Sequence, residues 1–182
     1  MNVKHSSKNG CHITPVEVLV AARELMGGVD LDPASCAEAN TAVRARRYFT
    51  QEDDGLSKRW KGRVWLNPPG GIDDNRDSKP KVRWRHLVGE YVAGRASCAL
   101  FLGFSIEVLQ TTQIDAGDLP IPLDFPFCVP SRRLAFLTVK NGSLVVGKSP
   151  THANVIVWLP PRCDARGEKF KEIFSRFGRV RT

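Results

Sequence analysis

Short apolar segments alternate with helical segments along this chain, and this alternation restricts the possible folds more than any other feature. Over 16–26, apolar residues recur at helical spacing after Thr14-Pro15-Val16-Glu17, a capping-box pattern, and Gly27-Gly28 follows as a stop signal. Three short strands are predicted next, with helices between them. The strands span 29–31, 47–50 and 64–66, and the longer of the two helices spans 34–46.

The second half of the chain continues this pattern and then adds a hairpin. Segments 134–139 and 143–146 flank Lys140-Asn141-Gly142, where Asn-Gly is typical of a tight turn. We predict one α/β domain over 1–182, with a doubly wound, mostly parallel Rossmann-like sheet and an antiparallel C-terminal hairpin at its edge. The other predicted elements are helices at 84–92, 105–110 and 168–177 and strands at 98–104 and 154–159, with irregular segments at 70–82 and 111–130.

Composition narrows the range of partners. Lysine and arginine number 27 against 19 aspartate and glutamate, and the net charge of +8 favours a polyanion such as nucleic acid. No apolar run approaches the roughly 20 residues needed to cross a bilayer. We therefore expect no membrane association and a cytoplasmic location. The cysteines and histidines lack the spacing of metal ligands, so we expect no metal, and nothing in the pattern specifies an oligomeric state.

Acidic side chains follow the first two predicted strands, the place where ligands bind in open α/β sheets. Asp30 and Asp32, with Pro33, end the first strand, and Asp53 and Asp54 follow the second. Asp53 lies 21 residues after Asp32, close to the spacing at which an acid binds ribose hydroxyls. The glycine fingerprint of dinucleotide-binding proteins is missing, so a ligand with a cationic part suits Asp30 and Asp32 better. The same acids would also fit helix caps and turns.

Asn67-Pro68-Pro69 follows the third strand and is the most informative motif of the chain about its function. The lone pair of an aromatic amine is delocalised into its ring, so methylation of that nitrogen requires acceptors for its two N–H groups. The side-chain oxygen of Asn67 and the carbonyl of Pro68 could be those acceptors. Prolines hold φ near −65° and present no competing N–H, so the acceptors would be pre-organised.

Several motifs run in a characteristic order along the chain. They are Thr14-Pro15, the run 29–35, Asn40, the run 52–56, Trp60 and the run 64–69. In order and spacing they resemble the phage-type DNA N6-adenine methyltransferase family. The stretches 133–136 and 149–154 also resemble that family, so the similarity covers nearly the whole chain.

The resemblance implies an enzyme, encoded by a phage or prophage, that methylates adenine N6 in DNA with S-adenosylmethionine on a Rossmann-like sheet. It implies three groups of site residues. Thr14, Pro15, Asp30, Asp32 and Pro33 line the S-adenosylmethionine pocket, Asp53 or Asp54 contacts its adenosine, and Asn67, Pro68, Pro69 and Gly70 form the catalytic loop. A capping box would also account for Thr14.

The chain departs from the family at one position. Amino-methyltransferases usually carry an aromatic residue after Asn-Pro-Pro, which stacks on the extruded base, but Gly70 follows here. The candidate replacements are Trp84, Trp65 and Phe104, of which Trp84 is preferred because it lies in a basic segment. A core position would also explain Trp84.

Basic side chains near these motifs are predicted to contact DNA phosphates. An alternative reading of them is a solvated surface. Methylation of cytosine N4 or of another nucleobase amine, and a catalytically silent DNA-binding module, are alternative functions. The predicted DNA-binding residues are Lys79, Lys81, Arg83, Trp84, Arg85, Arg132 and Arg133.

Overall fold

A seven-stranded mixed sheet organises the protein. The computed structural model describes residues 13–140, 143–147, 152–163 and 167–182. The strands of the sheet are β1 (Leu31–Asp32), β2 (Arg47–Tyr48), β3 (Gly62–Leu66), β4 (Ala96–Gly103), β5 (Phe127–Pro130), β8 (Val155–Leu159) and β9 (Gly178–Arg181). Their spatial order is β2-β1-β3-β4-β8-β5-β9. β1 to β4 are parallel, β8 runs antiparallel to β4 and β5, and β9 runs antiparallel to β5. Five strands, β1 to β5, therefore point the same way.

Helices cover both faces of the sheet, because side chains alternate between the faces along each strand. The helices are α1 (Val16–Met26), α2 (Ala37–Val43), α3 (Lys79–Val92), α4 (Val108–Thr111) and α5 (Glu168–Phe174). On one face, α1 and α5 pack on Trp65, Leu100 and Trp158. On the other, Leu87 and Val88 of α3 pack on the side chains that alternate with these.

The predicted hairpin forms, but not at the edge of the main sheet. β6 (Leu137–Lys140) and β7 (Ser143–Val146) make a separate two-stranded sheet. Two backbone hydrogen bonds of 2.8 Å between Ile13 and Leu137 attach it to the segment before α1. The antiparallel strands of the main sheet are instead β8 and β9. The predicted turn residues Asn141 and Gly142 lie outside the described residues.

Helix α1 has the predicted bounds but a different N-terminal cap. The N-cap is Pro15, and no side chain caps this end. The capping box predicted for Thr14 and Glu17 is therefore wrong, and the Thr14 hydroxyl is available for another role. At the other end, Gly27 takes the left-handed conformation at φ 71°, as a glycine stop signal predicts.

Two strands, β5 and β9, were not predicted from the sequence, and there is a physical reason why each was missed. Pro126 directly precedes β5 and Pro130 is its last residue, and prolines weaken the sequence signal for a strand. Phe127 and Cys128 nevertheless pair with β8. β9 is an edge strand with exposed arginines at positions 179 and 181. Charged residues on an edge strand disfavour pairing with another chain, but they also give little sequence signal for a strand. α3 also begins earlier than predicted, at Lys79, because Pro80 is tolerated in the first helical turn.

Candidate functional site

The strand order reverses beside β1, and this reversal creates the crevice where α/β sheets bind ligands. The chain passes from β1 to β2 on one side and then crosses to β3 on the other side of β1. The loops that follow β1 and β3 therefore diverge at their carboxyl ends. Asp32 is the last residue of β1, and Asn67 directly follows β3. The two sharpest predicted residues thus flank one crevice.

Thr14 joins this crevice from the start of α1. Its hydroxyl accepts a hydrogen bond of 3.3 Å from Nδ2 of Asn67, although 53 residues separate the two in the chain. Thr14 is 3 % exposed, and Pro15 beside it is buried. With the amide nitrogen engaged by Thr14, the amide oxygen of Asn67 is directed away from that contact as an acceptor.

Asp32 is a buried acid whose environment disfavours its charged form. Its carboxylate accepts a hydrogen bond of 3.3 Å from the backbone N–H of Ala34 and interacts with the Ser35 hydroxyl. Burial raises the pKa of Asp32 to about 7, and the two hydrogen bonds only partly oppose this shift. Within the part of the chain that the structure describes, no ion pair reaches Asp32. A cation bound nearby would therefore favour the carboxylate.

Asp30 does not join Asp32 in the crevice. Its carboxylate accepts two hydrogen bonds of 2.8 Å from the Arg63 guanidinium and one of 3.0 Å from the Arg63 backbone. These hydrogen bonds lower the pKa of Asp30 to about 2. Arg63 also donates to the carbonyls of Met26 and Gly27, so the pair ties the end of α1 to the amino ends of β1 and β3. Asp30 has a structural role here.

The acidic turn after β2 packs against the loop after β1. A side chain at Gly55 would place its Cβ 2.4 Å from the Pro33 carbonyl oxygen, so glycine permits this close approach. Asp53 is exposed, and its carboxylate accepts two hydrogen bonds of 2.8 Å from Thr50, which lower its pKa. Asp54 is exposed at φ 45°. Both acids thus lie beside the crevice, and Asp53 also closes its own turn.

The loop after Asn67 is open to solvent. Pro68 is buried, whereas Pro69, Gly70 and Gly71 are exposed. A Cβ built on Gly70 meets no atom within 4 Å, and the backbone of Gly70 is not in the left-handed region. The position that usually carries an aromatic residue therefore has room for one.

Trp84 and Trp65 lie in the core and not at the crevice. Trp84 is 1 % exposed, its indole N–H donates to the Pro120 carbonyl at 3.1 Å, and its ring packs edge-on against Phe101 and Phe125. Trp65 is also 1 % exposed, beneath α1 and α5. The structure therefore does not support base stacking or DNA contact by Trp84.

We expect Trp84→Ala to lower the free energy of unfolding by about 3–5 kcal/mol, because it empties a large core site and leaves the Pro120 carbonyl without its donor. Denaturant unfolding would measure this loss. Trp84→Phe keeps most of the apolar contacts and should lose less. A change below about 1 kcal/mol for the alanine variant, together with weaker DNA binding, would show instead that the side chain faces DNA.

The predicted DNA-contacting cations divide into two groups. Lys81 is buried and pairs with Asp77 at 3.5 Å and Asp115 at 4.0 Å, and Arg85 donates to the carbonyls of Ile114 and Asp115 at 2.7 Å. Arg83 is partly buried, and burial lowers its pKa. Lys81 and Arg85 are thus engaged within the fold, whereas the prediction for Arg83 stays a prediction.

The other cations lie where DNA could reach them. Lys79 begins α3 at the carboxyl edge of the sheet. Arg132 and Arg133 are exposed in the segment after β5, a strand that points the same way as β3, so they lie along the same edge as Asn67. This edge combines exposed positive charge with the crevice.

The fold defines the class of protein as a mixed α/β protein with a crevice at a strand-order reversal. Residues 2–76 match the model of the DNA N-6-adenine-methyltransferase (Dam) family, which confirms the resemblance predicted from the motifs over that part of the chain. The matched range contains Thr14, Asp32 and Asn67 and ends before 133–136 and 149–154. The resemblance of those later stretches stays a prediction, and 149–151 lie outside the described residues. No curated protein and no solved structure is found to match the chain.

The described segments contain neither a cluster of metal-binding side chains nor a helix suited to a membrane. In the described segments, no cluster of three or more His, Cys, Asp or Glu side chains could hold a metal ion. No helix among those segments has the length and apolar character needed to span a bilayer.

His152 and Ser35 were not singled out from the sequence as site residues. The roles of such polar side chains depend on partners that the sequence pattern does not reveal.

Proposed function

We propose that this protein transfers the methyl group of S-adenosylmethionine to the N6 amine of adenine in DNA. One observation carries the proposal above all others. Asn67 lies at the strand-order reversal, hydrogen-bonded to Thr14, within the segment that matches the adenine methyltransferase family model. We further propose that the sheet is of the doubly wound, Rossmann-like methyltransferase type, which the helices on both faces support.

The residues at the crevice fit S-adenosylmethionine. When bound, this cofactor supplies an electrophilic methyl group on a cationic sulfonium, next to a positively charged amino group. Asp32 is a buried acid with a raised pKa and would be stabilised as the carboxylate by such a cation. Thr14, Pro15 and Pro33 would line the same pocket. Asp54, or Asp53 through its remaining acceptor capacity, would bind the ribose hydroxyls.

The acceptors for the adenine amine would be the amide oxygen of Asn67 and the carbonyl oxygen of Pro68. Hydrogen bonds from the two N–H groups to these two oxygens would favour a more tetrahedral nitrogen. The lone pair of such a nitrogen is less delocalised into the ring and can attack the methyl group. The hydrogen bond from Asn67 to Thr14 orients the amide for this role. Pro68 is buried, so its carbonyl direction is held by the packing around the loop as well as by the proline ring.

DNA would lie along the carboxyl edge of the sheet, over Lys79, Arg132 and Arg133. Lys81, Arg85 and Trp84 do not belong to this surface because each is engaged within the fold. Arg83 is partly buried and stays a predicted phosphate contact. Because both DNA and S-adenosylmethionine are found in the cytoplasm of a bacterial host, we propose that location, with a phage or prophage source.

We expect Arg132→Ala to weaken DNA binding severalfold and to reduce the slope of log affinity against log salt by about 0.9, the value for one lost phosphate contact on duplex DNA. Fluorescence anisotropy across a salt series would measure both quantities. Arg59→Ala removes an exposed arginine before β3, at the opposite edge, and should leave both unchanged. Equal effects of the two variants would contradict the proposed surface.

Product analysis tests the proposed reaction. Radiolabelled methyl groups from S-adenosylmethionine would be offered with unmethylated DNA, and the DNA would then be digested to nucleosides. N6-methyladenine is the expected product. Label in N4-methylcytosine would reassign the acceptor base.

A second candidate function, a catalytically silent DNA-binding module, is favoured by Gly70 at the usual aromatic position. It predicts DNA retention with no incorporated label.

A further inference from the structure

An aromatic pair stands near the crevice on segments far apart in the chain. The ring centroids of Phe104 and His152 lie 5.4 Å apart, with their planes inclined by 58°. Phe104 also contacts the buried Phe136, with 6.0 Å between ring centroids. Phe104 is partly buried and His152 is exposed, so the pair presents ring surface to solvent on a rigid base.

The topology brings this pair to the carboxyl edge that carries Asn67. β3 and β4 are parallel neighbours, with Leu66 opposite Phe101. Asn67 and Phe104 therefore leave adjacent strands at the same end of the sheet. From the other side, Ile13 pairs with Leu137, which follows Phe136, while Thr14, which follows Ile13, holds the Asn67 amide.

A buried asparagine keeps the aromatic pair in place. Asn154 is 1 % exposed, its Nδ2 donates to the Phe104 carbonyl at 3.0 Å, and its Oδ1 accepts from the Leu134 N–H at 2.9 Å. The backbone N–H of Ile106 donates to the Ala153 carbonyl at 2.8 Å. Both segments that carry the pair are therefore joined directly behind it.

We propose that Phe104 and His152 form the stacking surface for the extruded target adenine, in place of the aromatic residue that Gly70 does not supply. This inference rests on the proposed methyl transfer to DNA. A base removed from the duplex loses its stacking partners, and a partly exposed aromatic surface beside the amine acceptors restores them. Trp65 and Trp84 cannot take this part because both are buried in the core.

Three single variants and one double variant test the stacking surface in methyl transfer to unmethylated DNA. We expect His152→Ala and Phe104→Leu each to lower kcat/KM for DNA about tenfold or more, as loss of one aromatic–base contact predicts. The dissociation constant of S-adenosylmethionine should stay within about twofold of the wild-type value. His152→Phe should restore most of the lost rate, and Gly70→Tyr should rescue the His152→Ala variant, because Gly70 has room for a side chain.

Phe127→Leu is the matched control. Phe127 is another partly buried phenylalanine packed on the core, but it begins β5 and therefore lies at the amino end of the parallel strands, opposite the edge that carries Asn67. It should leave kcat/KM for DNA unchanged. Because the His152 side chain is exposed, its variants test the proposal even where Phe104→Leu unfolds the protein.

The outcomes separate this inference from the proposed function. Wild-type transfer that survives undiminished in both His152→Ala and Phe104→Leu overturns the stacking surface and leaves the methyltransferase intact. A kcat/KM of His152→Phe no higher than that of His152→Ala would also overturn the stacking surface and leave the methyltransferase intact. No transfer by the wild-type protein to any DNA base overturns both proposals together.

Discussion

Replacing Asn67 with alanine is expected to lower the rate of methyl transfer by about 10²–10³-fold or more, the usual effect of removing one pre-organised polar group aimed at the reacting centre. The alanine side chain cannot accept an N–H of the adenine amine, so the nitrogen lone pair stays delocalised in the ring. Single-turnover transfer of labelled methyl groups would measure the loss directly.

Binding measurements distinguish this role from a structural one. Asn67→Ala also removes the hydrogen bond to Thr14, so a modest loss of S-adenosylmethionine affinity is expected. Asn67→Asp keeps an acceptor oxygen and should retain more activity than alanine. Asn75→Ala, in the exposed loop that follows, should be close to wild type. Full activity of Asn67→Ala would mean that this amide does not bind the reacting amine.

Replacing Asp32 with asparagine is expected to lower the affinity for S-adenosylmethionine about 10-fold to 100-fold, because the cationic part of the ligand loses a partner of opposite charge. The wild-type affinity should rise with pH through about 7, the pKa of Asp32, since the ligand favours the ionised form. The asparagine variant should lack this rise. Calorimetric titrations at pH 6 and pH 8 (values bracketing about 7) would measure both.

The raised pKa of Asp32 also leads to a prediction about the free energy of unfolding of the ligand-free protein. The pKa of Asp32 is about 7 in the folded protein, but it returns to an ordinary value near 3.9 on unfolding. Between those pH values the folded state holds a proton that the unfolded state has lost. Stability therefore falls as pH rises from about 4 to about 7, by as much as about 4 kcal/mol, and the loss is complete above that range.

Asp32→Asn removes this dependence, so the ligand-free variant should be more stable than the wild-type protein at pH about 8 and closer to it at pH about 5. Denaturant unfolding at the two pH values measures the difference. Tighter ligand binding by the wild type and higher intrinsic stability of the variant would together mark Asp32 as a binding residue. A variant that binds S-adenosylmethionine normally would place the cation elsewhere.

Local signals in the sequence were sufficient for much of the fold. The bounds of α1 follow from apolar residues at helical spacing and a glycine stop, and both are properties of one turn of chain at a time. β7 was predicted over 143–146 with the bounds observed. The order of strands and helices up to β4 also follows from local periodicity, and with it the prediction that Asp32 and Asn67 come at strand ends.

Local signals could not distinguish chemically equal residues. Asp30 and Asp32 are two positions apart, yet one pairs with Arg63 and the other is buried without an ion pair among the described residues. That difference depends on a strand that lies 33 residues away in the chain. Lys81 and Arg132 are likewise both basic, but only tertiary packing buries Lys81 beside Asp77 and Asp115.

The sequence by itself determined the α/β class, the resemblance to the adenine methyltransferase family and the motif residues at the ends of β1 and β3, because these depend on periodicity and spacing within short windows. Only the tertiary structure decided that Thr14 meets Asn67 instead of capping α1, that Trp84 belongs to the core, and that Phe104 meets His152. Each of these depends on contacts between segments far apart in the chain, and the energy of such contacts is set by burial and geometry that no local pattern encodes.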